Sequence, residues 1–220
     1  MPKQDNQFPD FTFETAYLDD GPVFGVDEAG RGPWAGPVTA AAFWIHPQER
    51  AHLPPGLTDS KKLSKEKRGH IETHFRCSIS PHLYSVAHAS VIEIDQNGIL
   101  KATFLAMCRA IEGLAGKVGC PAMVLIDGML LPPKLAYPGQ SVVRGDSRAL
   151  SIAAASVMAK QERDRIMSAL HEEHPHYGWA TNAGYGTKTH CDAIAAHGIT
   201  AHHRRSFAPI KAHLVTLFSK

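Results

Sequence analysis

A chain of 220 residues is long enough for one domain with a sizeable core and a small appendage. Apolar residues make up 44% and charged ones 20%, which excludes a disordered chain, and a formal net charge of +2 confines any basic footprint to local patches. Cys77, Cys108, Cys120 and Cys191 show neither a C-x-x-C pair nor a disulfide rhythm; no run reaches transmembrane length and MPKQDNQFPDFTFE has no apolar signal core, so a cytoplasmic protein away from membranes is expected.

Residues 1–20 read as a loose N-terminal tail. VFGVD (23–27) and PVTAAAFWI (37–45) predict two strands around the turn GRGPWAG. After the breaker Pro-Pro-Gly at 54–56, Ser64 is placed to cap a helix running to about Phe75. LYSVAHASV (83–91) alternates like a strand, and Leu100, Phe104, Met107 and Ile111 recur at helical spacing within 99–115. AMVLID (122–127) predicts a central strand, and SVV (141–143) a short one. Asp146 or Ser147 is suited to cap a long helix through SIAAASVMAKQERDRIMSALHEE, whose alanines 153–155 allow close packing. The glycine-rich stretch 174–187 reads as irregular, with helices over Lys188–Ala196 and from about Ala208. Paired strands followed by alternation with helices predict an α/β fold, a central mixed sheet flanked by helices.

Four acids stand at element ends: Asp27, Glu28, Asp127 and Asp146. Asp27 and Asp127 each close an apolar run, so parallel neighbouring strands would bring them together at the carboxyl edge of a sheet, where ligand sites gather. Neighbours on a flat strand face opposite ways, so Asp27 and Glu28 converge only if the strand breaks, which Gly30 and Gly32 would permit. Clustered carboxylates repel unless protonated or bridged by a cation, and an all-oxygen set suits Mg²⁺ or Mn²⁺. A pair of such ions supports phosphodiester cleavage. Taken singly, Asp146 fits a helix cap better than a site, and Glu28 leans slightly to a cap, turn or surface position, while Asp27 and Asp127 are evenly balanced.

The blocks GVDEAGRGPWAGPV, LTDSKKLS, EIDQNGILKATFLAM, LIDG, GDSRALSIAAASVMAKQERDR, GYGTKTH and HHRRSFAPIK occur in this order over about residues 22–212, and the chain thereby resembles bacterial ribonuclease HII. The resemblance implies a ribonuclease H-like fold with a small helical C-terminal part, residues 21–220 forming one type-2 catalytic domain whose C-terminal segment covers about 187–220. It implies an endonuclease for the RNA strand of RNA–DNA hybrids and for single ribonucleotides in duplex DNA, cutting 5′ to the ribonucleotide and leaving 3′-hydroxyl and 5′-phosphate ends. The family's metal-binding acids fall on Asp27, Glu28, Asp127 and Asp146, its 2′-hydroxyl-reading Gly-Arg-Gly on Gly30, Arg31 and Gly32, and its ribose-contacting tyrosine on Tyr185. Met129 and Gly98 stand where the family often has asparagine.

A tight turn also explains Gly30-Arg31-Gly32, and a loop anchor explains Tyr185; Tyr177 is expected in packing. Ser60, Lys61 and Lys62, with Arg204 and Arg205, are candidate phosphate contacts. Lys65, Glu66, Lys67 and Arg68 alternate in sign and read as a solvated helix face. Lys160, Arg163 and Asp164 reach a phosphate or pair with neighbours, and His202 and His203 are candidate nucleic-acid neighbours. HEEHPH (171–176) lacks the H-E-x-x-H pattern and any third ligand nearby in sequence, so it reads as a solvated helix end. The expected partners are RNA–DNA hybrid and ribonucleotide-containing duplex, acted on by a monomer, with no protein partner inferable. Two rival readings stay open: another acid-cluster nuclease of the same fold, or a hybrid-binding module without catalysis.

Overall fold

The computed structural model describes residues 8–77 and 83–218, with side chains to residue 214 except that of Cys77. Strands β1 (Val23–Ala29), β2 (Val38–Trp44), β3 (Leu83–Ala89), β4 (Met123–Asp127) and β5 (Gly139–Val142) form one sheet in the order β3-β2-β1-β4-β5. β1, β4 and β5 run parallel, while β2 is antiparallel to both β1 and β3. The mixed sheet expected from the element pattern is therefore present. Its central strands are apolar on both faces because helices cover both.

Helix α4 (Ile99–Val118) buries Ala102, Ala106, Met107, Ala110, Ile111 and Leu114 against one face, with Phe24, Val26 and Val124 opposite. Helix α5 (Leu150–Glu173) lays Ala153, Ala154 and Ala155 on the other face, beside Ala41 and Phe43. The approach is close: a Cβ on Gly25 would lie 2.2 Å from the Ser151 carbonyl carbon. Glycine on β1 and alanines on α5 therefore set this helix–sheet distance. Helix α2 (Lys65–Cys77) joins that layer through Ile71 and Phe75.

Three expectations are corrected. The N-terminal segment is not wholly loose: Pro9 and Glu14 are buried and the chain makes a single helical turn, α1 (Thr12–Thr15); residues 1–7 lie outside the described set. The Glu14 carboxylate is buried and accepts from the Ser151 amide (2.8 Å) and hydroxyl (2.6 Å). It thereby caps the first turn of α5, the role assigned to Asp146 or Ser147; those two form a separate 3₁₀ turn (Gly145–Ser147) before the helix begins. The stretch read as strand to residue 91 ends at Ala89, and a Ser90–Glu93 capping box opens helix α3 (Val91–Asn97). Gly98, at φ 78°, closes α3 and opens α4, so the departure from asparagine falls at a turn that glycine adopts freely.

Beyond α5 the chain makes short helix α6 (Trp179–Asn182), α7 (Lys188–His197) and α8 (Ala208–Phe218). A separate apolar cluster of Ala35, Met167, Tyr177, Trp179, Ala193, Ile194 and Ile210 docks this part against the end of α5 and the turn after β1. Tyr177 is packing, as expected, stacked on Trp179 at 4.9 Å.

Candidate active site

The pairing of β1 with β4 ends at Val26 and Ile126, so Asp27 and Asp127 leave the carboxyl ends of adjacent parallel strands. The 3₁₀ turn after β5 adds Asp146. Carboxylate oxygens of the three acids lie within 4.8 Å of one another. The Asp127 Oδ1 accepts from the Gly145 amide (2.7 Å), which ties β4 to the turn carrying Asp146. Glu28 stands outside that trio, yet close enough for Asp127 to raise its pKa. No break separates Asp27 from Glu28: β1 stays paired with β2 through Glu28 and Ala29, and the chain turns only at Gly30.

The electrostatics are those of a site made for cations. Burial, then the charges of Glu28 and Asp127, hold the Asp27 carboxyl well above its ordinary range. Asp146 is pushed up to about 6 by burial, then by Asp59 and Asp127, with Lys61 opposing. Glu28 is also raised, by burial against the pull of Arg31, its ion-pair partner at 3.4 Å. Lys61 loses some basicity to burial, but Asp27, Asp59, Asp146 and Glu28 together outweigh this and raise it. Oxygen donors that repel one another at this range, without cysteine or histidine among them, fit a hard divalent ion.

Of the basic candidates, Lys61, Lys62 and Arg205 are exposed. The Lys62 ammonium donates to the Ser147 hydroxyl (2.9 Å), next to Asp146. Ser60 is not a surface contact: it is buried, with its hydroxyl 2.9 Å from that of Ser156, which in turn bonds Asp27. Asp59 and Ser156 were missed in sequence, each being an unremarkable residue until the fold sets it beside an acid.

Arg204 is the larger correction. It is fully buried and donates to the carbonyls of Gly36 (2.9 Å), Arg31 (3.0 Å), Gly30 (2.6 Å) and Pro37 (3.1 Å), so burial puts it out of reach of a phosphate. Arg163 behaves alike, donating to Pro37, Ala183 and Ala35. Burial lowers both guanidiniums, to about 9 and about 10, and for Arg204 the charge of Arg163 adds to the effect; both remain cationic at neutral pH. Gly30 has φ 95°, and a Cβ there would lie 1.9 Å from the Arg163 Nε, so side chain and backbone both demand glycine. Lys160 pairs with Asp164 at 2.6 Å.

The loops carrying Gly32 and Tyr185 interlock. The Trp34 amide donates to the Gly184 carbonyl (2.8 Å), and the Tyr185 ring lies 3.2 Å from where a Cβ of Gly32 would stand. Tyr185 is 52% exposed, so its ring is presented rather than packed. Behind it runs a chain of neutral rings. The Thr200 amide donates to His203 Nδ1 (2.9 Å), which puts the His203 proton on Nε2 and aims it at His190 Nε2 (3.1 Å). His190 shares that nitrogen with the Trp179 indole N–H (3.2 Å) and turns Nδ1–H to the Tyr185 carbonyl (2.9 Å). His203 is buried here, not at a nucleic-acid surface.

Residues 24–210 match the family model described as Ribonuclease HII. The chain belongs to the ribonuclease HII family. A curated ribonuclease HII of Paracoccus denitrificans is 51% identical over 207 residues, covering 92% of this chain and 93% of the relative. The crystal structure of ribonuclease H2 from Pyrococcus horikoshii superposes with a TM-score of 0.75 at 22% identity, covering 90% of this chain and all of that one. Bst-RNase HIII in complex with Mn²⁺ gives 0.74 at 20% identity, covering 90% and 71%. These neighbours carry the ribonuclease H-like fold, and the protein is a hydrolase acting on the RNA strand of RNA–DNA hybrids. Among the described residues no helix is long and apolar enough to cross a membrane.

Proposed function

We propose that this protein also nicks duplex DNA on the 5′ side of a single embedded ribonucleotide, leaving 3′-hydroxyl and 5′-phosphate ends. Asp27, Glu28, Asp127 and Asp146 would hold two Mg²⁺ or Mn²⁺ ions, whose chemistry would be to activate water and offset charge on the departing 3′ oxygen. The observation that carries this reading is the convergence of three carboxylates within 4.8 Å, next in sequence to a glycine loop that Tyr185 overlies. The Mn²⁺ in Bst-RNase HIII supports the choice of ion.

The chain's own residues divide the remaining work. Because Arg204 occupies the carbonyls of Gly30 and Arg31, the loop offers a ribose hydroxyl its N–H groups and the Gly32 carbonyl. The Tyr185 ring stacks on the sugar or base beside that hydroxyl. Arg31, Lys61, Lys62 and Arg205 take phosphates, an attraction that positions the duplex without reading sequence. Acids and both loops come from one chain, so a monomer suffices, and the free thiols Cys108, Cys120 and Cys191 suit a cytoplasmic setting.

The test uses labelled duplex DNA with one internal ribonucleotide, beside a long RNA–DNA hybrid, each with Mg²⁺, Mn²⁺ or EDTA. Metal-dependent nicking 5′ to the ribonucleotide is expected. Tyr185→Ala should slow it about 10-fold, the scale of one lost stacking contact, and slow hybrid cleavage less. Equal rates for the variant and the parent on the single-ribonucleotide duplex would remove Tyr185 from the reading.

A further inference from the structure

The histidine-rich end of α5 supplies two donors in sequence, and the fold brings a third from 28 positions away. Glu173 and His174 end the helix, His202 lies in the loop after α7, and ligating atoms of all three fall within 4.8 Å of one another. The two rings stand 5.6 Å apart. Both meet the buried Trp179 indole edge-on, His174 at 5.7 Å and 78°, His202 at 6.2 Å and 87°. Backbone bonds fix the loop on either side: the His202 amide donates to Thr200 Oγ1 (3.1 Å), and its carbonyl accepts from the Gly36 amide (2.9 Å). The His174 amide is held by Leu170.

None of the hydrogen bonds or ion pairs resolved among the described residues uses the Glu173 carboxylate or a ring nitrogen of His174 or His202. Packing thus orients two imidazoles while their nitrogens stay unspent. Two nitrogens and one oxygen are a donor set for a borderline transition ion, unlike the all-oxygen set of the acid cluster. Ligands of tetrahedral Zn²⁺ lie about 3.3 Å apart, given bonds near 2.0–2.1 Å, so side-chain rotations must draw the three atoms together on binding.

We propose that Glu173, His174 and His202 form a second metal site, selective for Zn²⁺ or a similar transition ion and separate from the catalytic acids. Three protein ligands leave one position to water. The ion ties the end of α5 to the loop that runs on into His203 and Arg204.

The test is calorimetric titration of the untagged, EDTA-stripped full chain with ZnCl₂, in excess Mg²⁺ to occupy the acid cluster. One Zn²⁺ per chain is expected. His174→Ala should weaken binding by more than the roughly 10–100-fold that loss of an outer-shell partner costs. Glu173→Gln, at an exposed position that cannot disturb folding, should weaken it less. A His176→Ala, His197→Ala double variant should bind as the parent does, although those rings lie only 4.2 Å apart. No Zn²⁺ uptake in Mg²⁺, or undiminished uptake by both His174→Ala and Glu173→Gln, would overturn the proposal. So would uptake abolished by Asp127→Asn alone. The titration needs no nucleic acid, so its result is independent of how ribonucleotides are read.

Discussion

The molecule buries like charges in two places, and it treats them in opposite ways. At the ends of β1 and β4, Asp27, Asp127 and Asp146 crowd together with few donors to compensate them, and the carboxyls of Asp27 and Asp146 are pushed up. Beneath the glycine and tyrosine loops, Arg163 and Arg204 are also buried, but backbone carbonyls surround them. The first charge is left open for an ion from solution. The second is closed by dipoles already in the chain, and the side chains there serve the backbone. Under the proposed function, catalysis uses the unsatisfied pole and backbone recognition the satisfied one.

Removing one charge from each pole should separate the two. Asp127→Asn is expected to cut single-turnover cleavage of a labelled hybrid at least about 100-fold, the scale of losing a preorganised electrostatic group. The same variant should melt higher than the parent in EDTA, by on the order of 1 kcal/mol, because it relieves repulsion among buried acids. Parental cleavage by Asp127→Asn would break the assignment of the acid pole. A lower melting point in EDTA would show that the cluster is internally compensated after all.

Arg204→Met should do the reverse to stability. The carbonyls of Gly30, Arg31 and Gly36 lose their donor while that of Pro37 keeps Arg163, and at about 1 kcal/mol each the cost is about 3 kcal/mol, or a Tm lower by about 6–12 °C. Because those carbonyls belong to the turn containing Gly30 and Arg31, discrimination between ribonucleotide and deoxyribonucleotide should fall as well. Arg204→Lys keeps the charge but cannot reach four carbonyls at once, so it should recover little. Full recovery by lysine would mean that charge, not the fork of donors, holds the loop.

The acid pole was legible in the sequence and the arginine pole was not. Apolar runs ending in Asp27 and Asp127 signal strand ends, and strand ends in parallel sheets signal sites; for Asp146 local pattern favours a helix cap, and only the family resemblance places it with them. Arg204 sits in HHRRSF, which reads as a surface charge run, because its burial depends on carbonyls some 167–174 positions away. The Glu14 cap on α5 and the joining of His202 to His174 were hidden for the same reason. The Ser90–Glu93 capping box shows the opposite failure: the S-x-x-E signature was present in the sequence, but strand-like alternation was carried across it.

The smallest effect concerns a ring that burial keeps neutral. His203 is buried beside Arg204, and burial, followed by the charges of His190 and His202, lowers its pKa to about 3 from an ordinary 6.5. The folded protein therefore binds fewer protons than the unfolded chain between those values. Stability from this group is complete above pH 6.5 and declines as pH falls toward 3. The geometry agrees, since His203 Nδ1 accepts from the Thr200 amide and cannot do so once protonated. His203→Gln keeps a polar side chain but does not titrate. Its Tm should start lower at pH 7.5 and then fall less steeply on acidification than the parent's. Parallel acid limbs would mean that His203 accepts its proton without disturbing the pole, and that the ring chain behind Tyr185 tolerates charge. A shallower limb would extend the comparison: the acid pole gains stability from added protons, while the buried ring beside the arginine pole loses it.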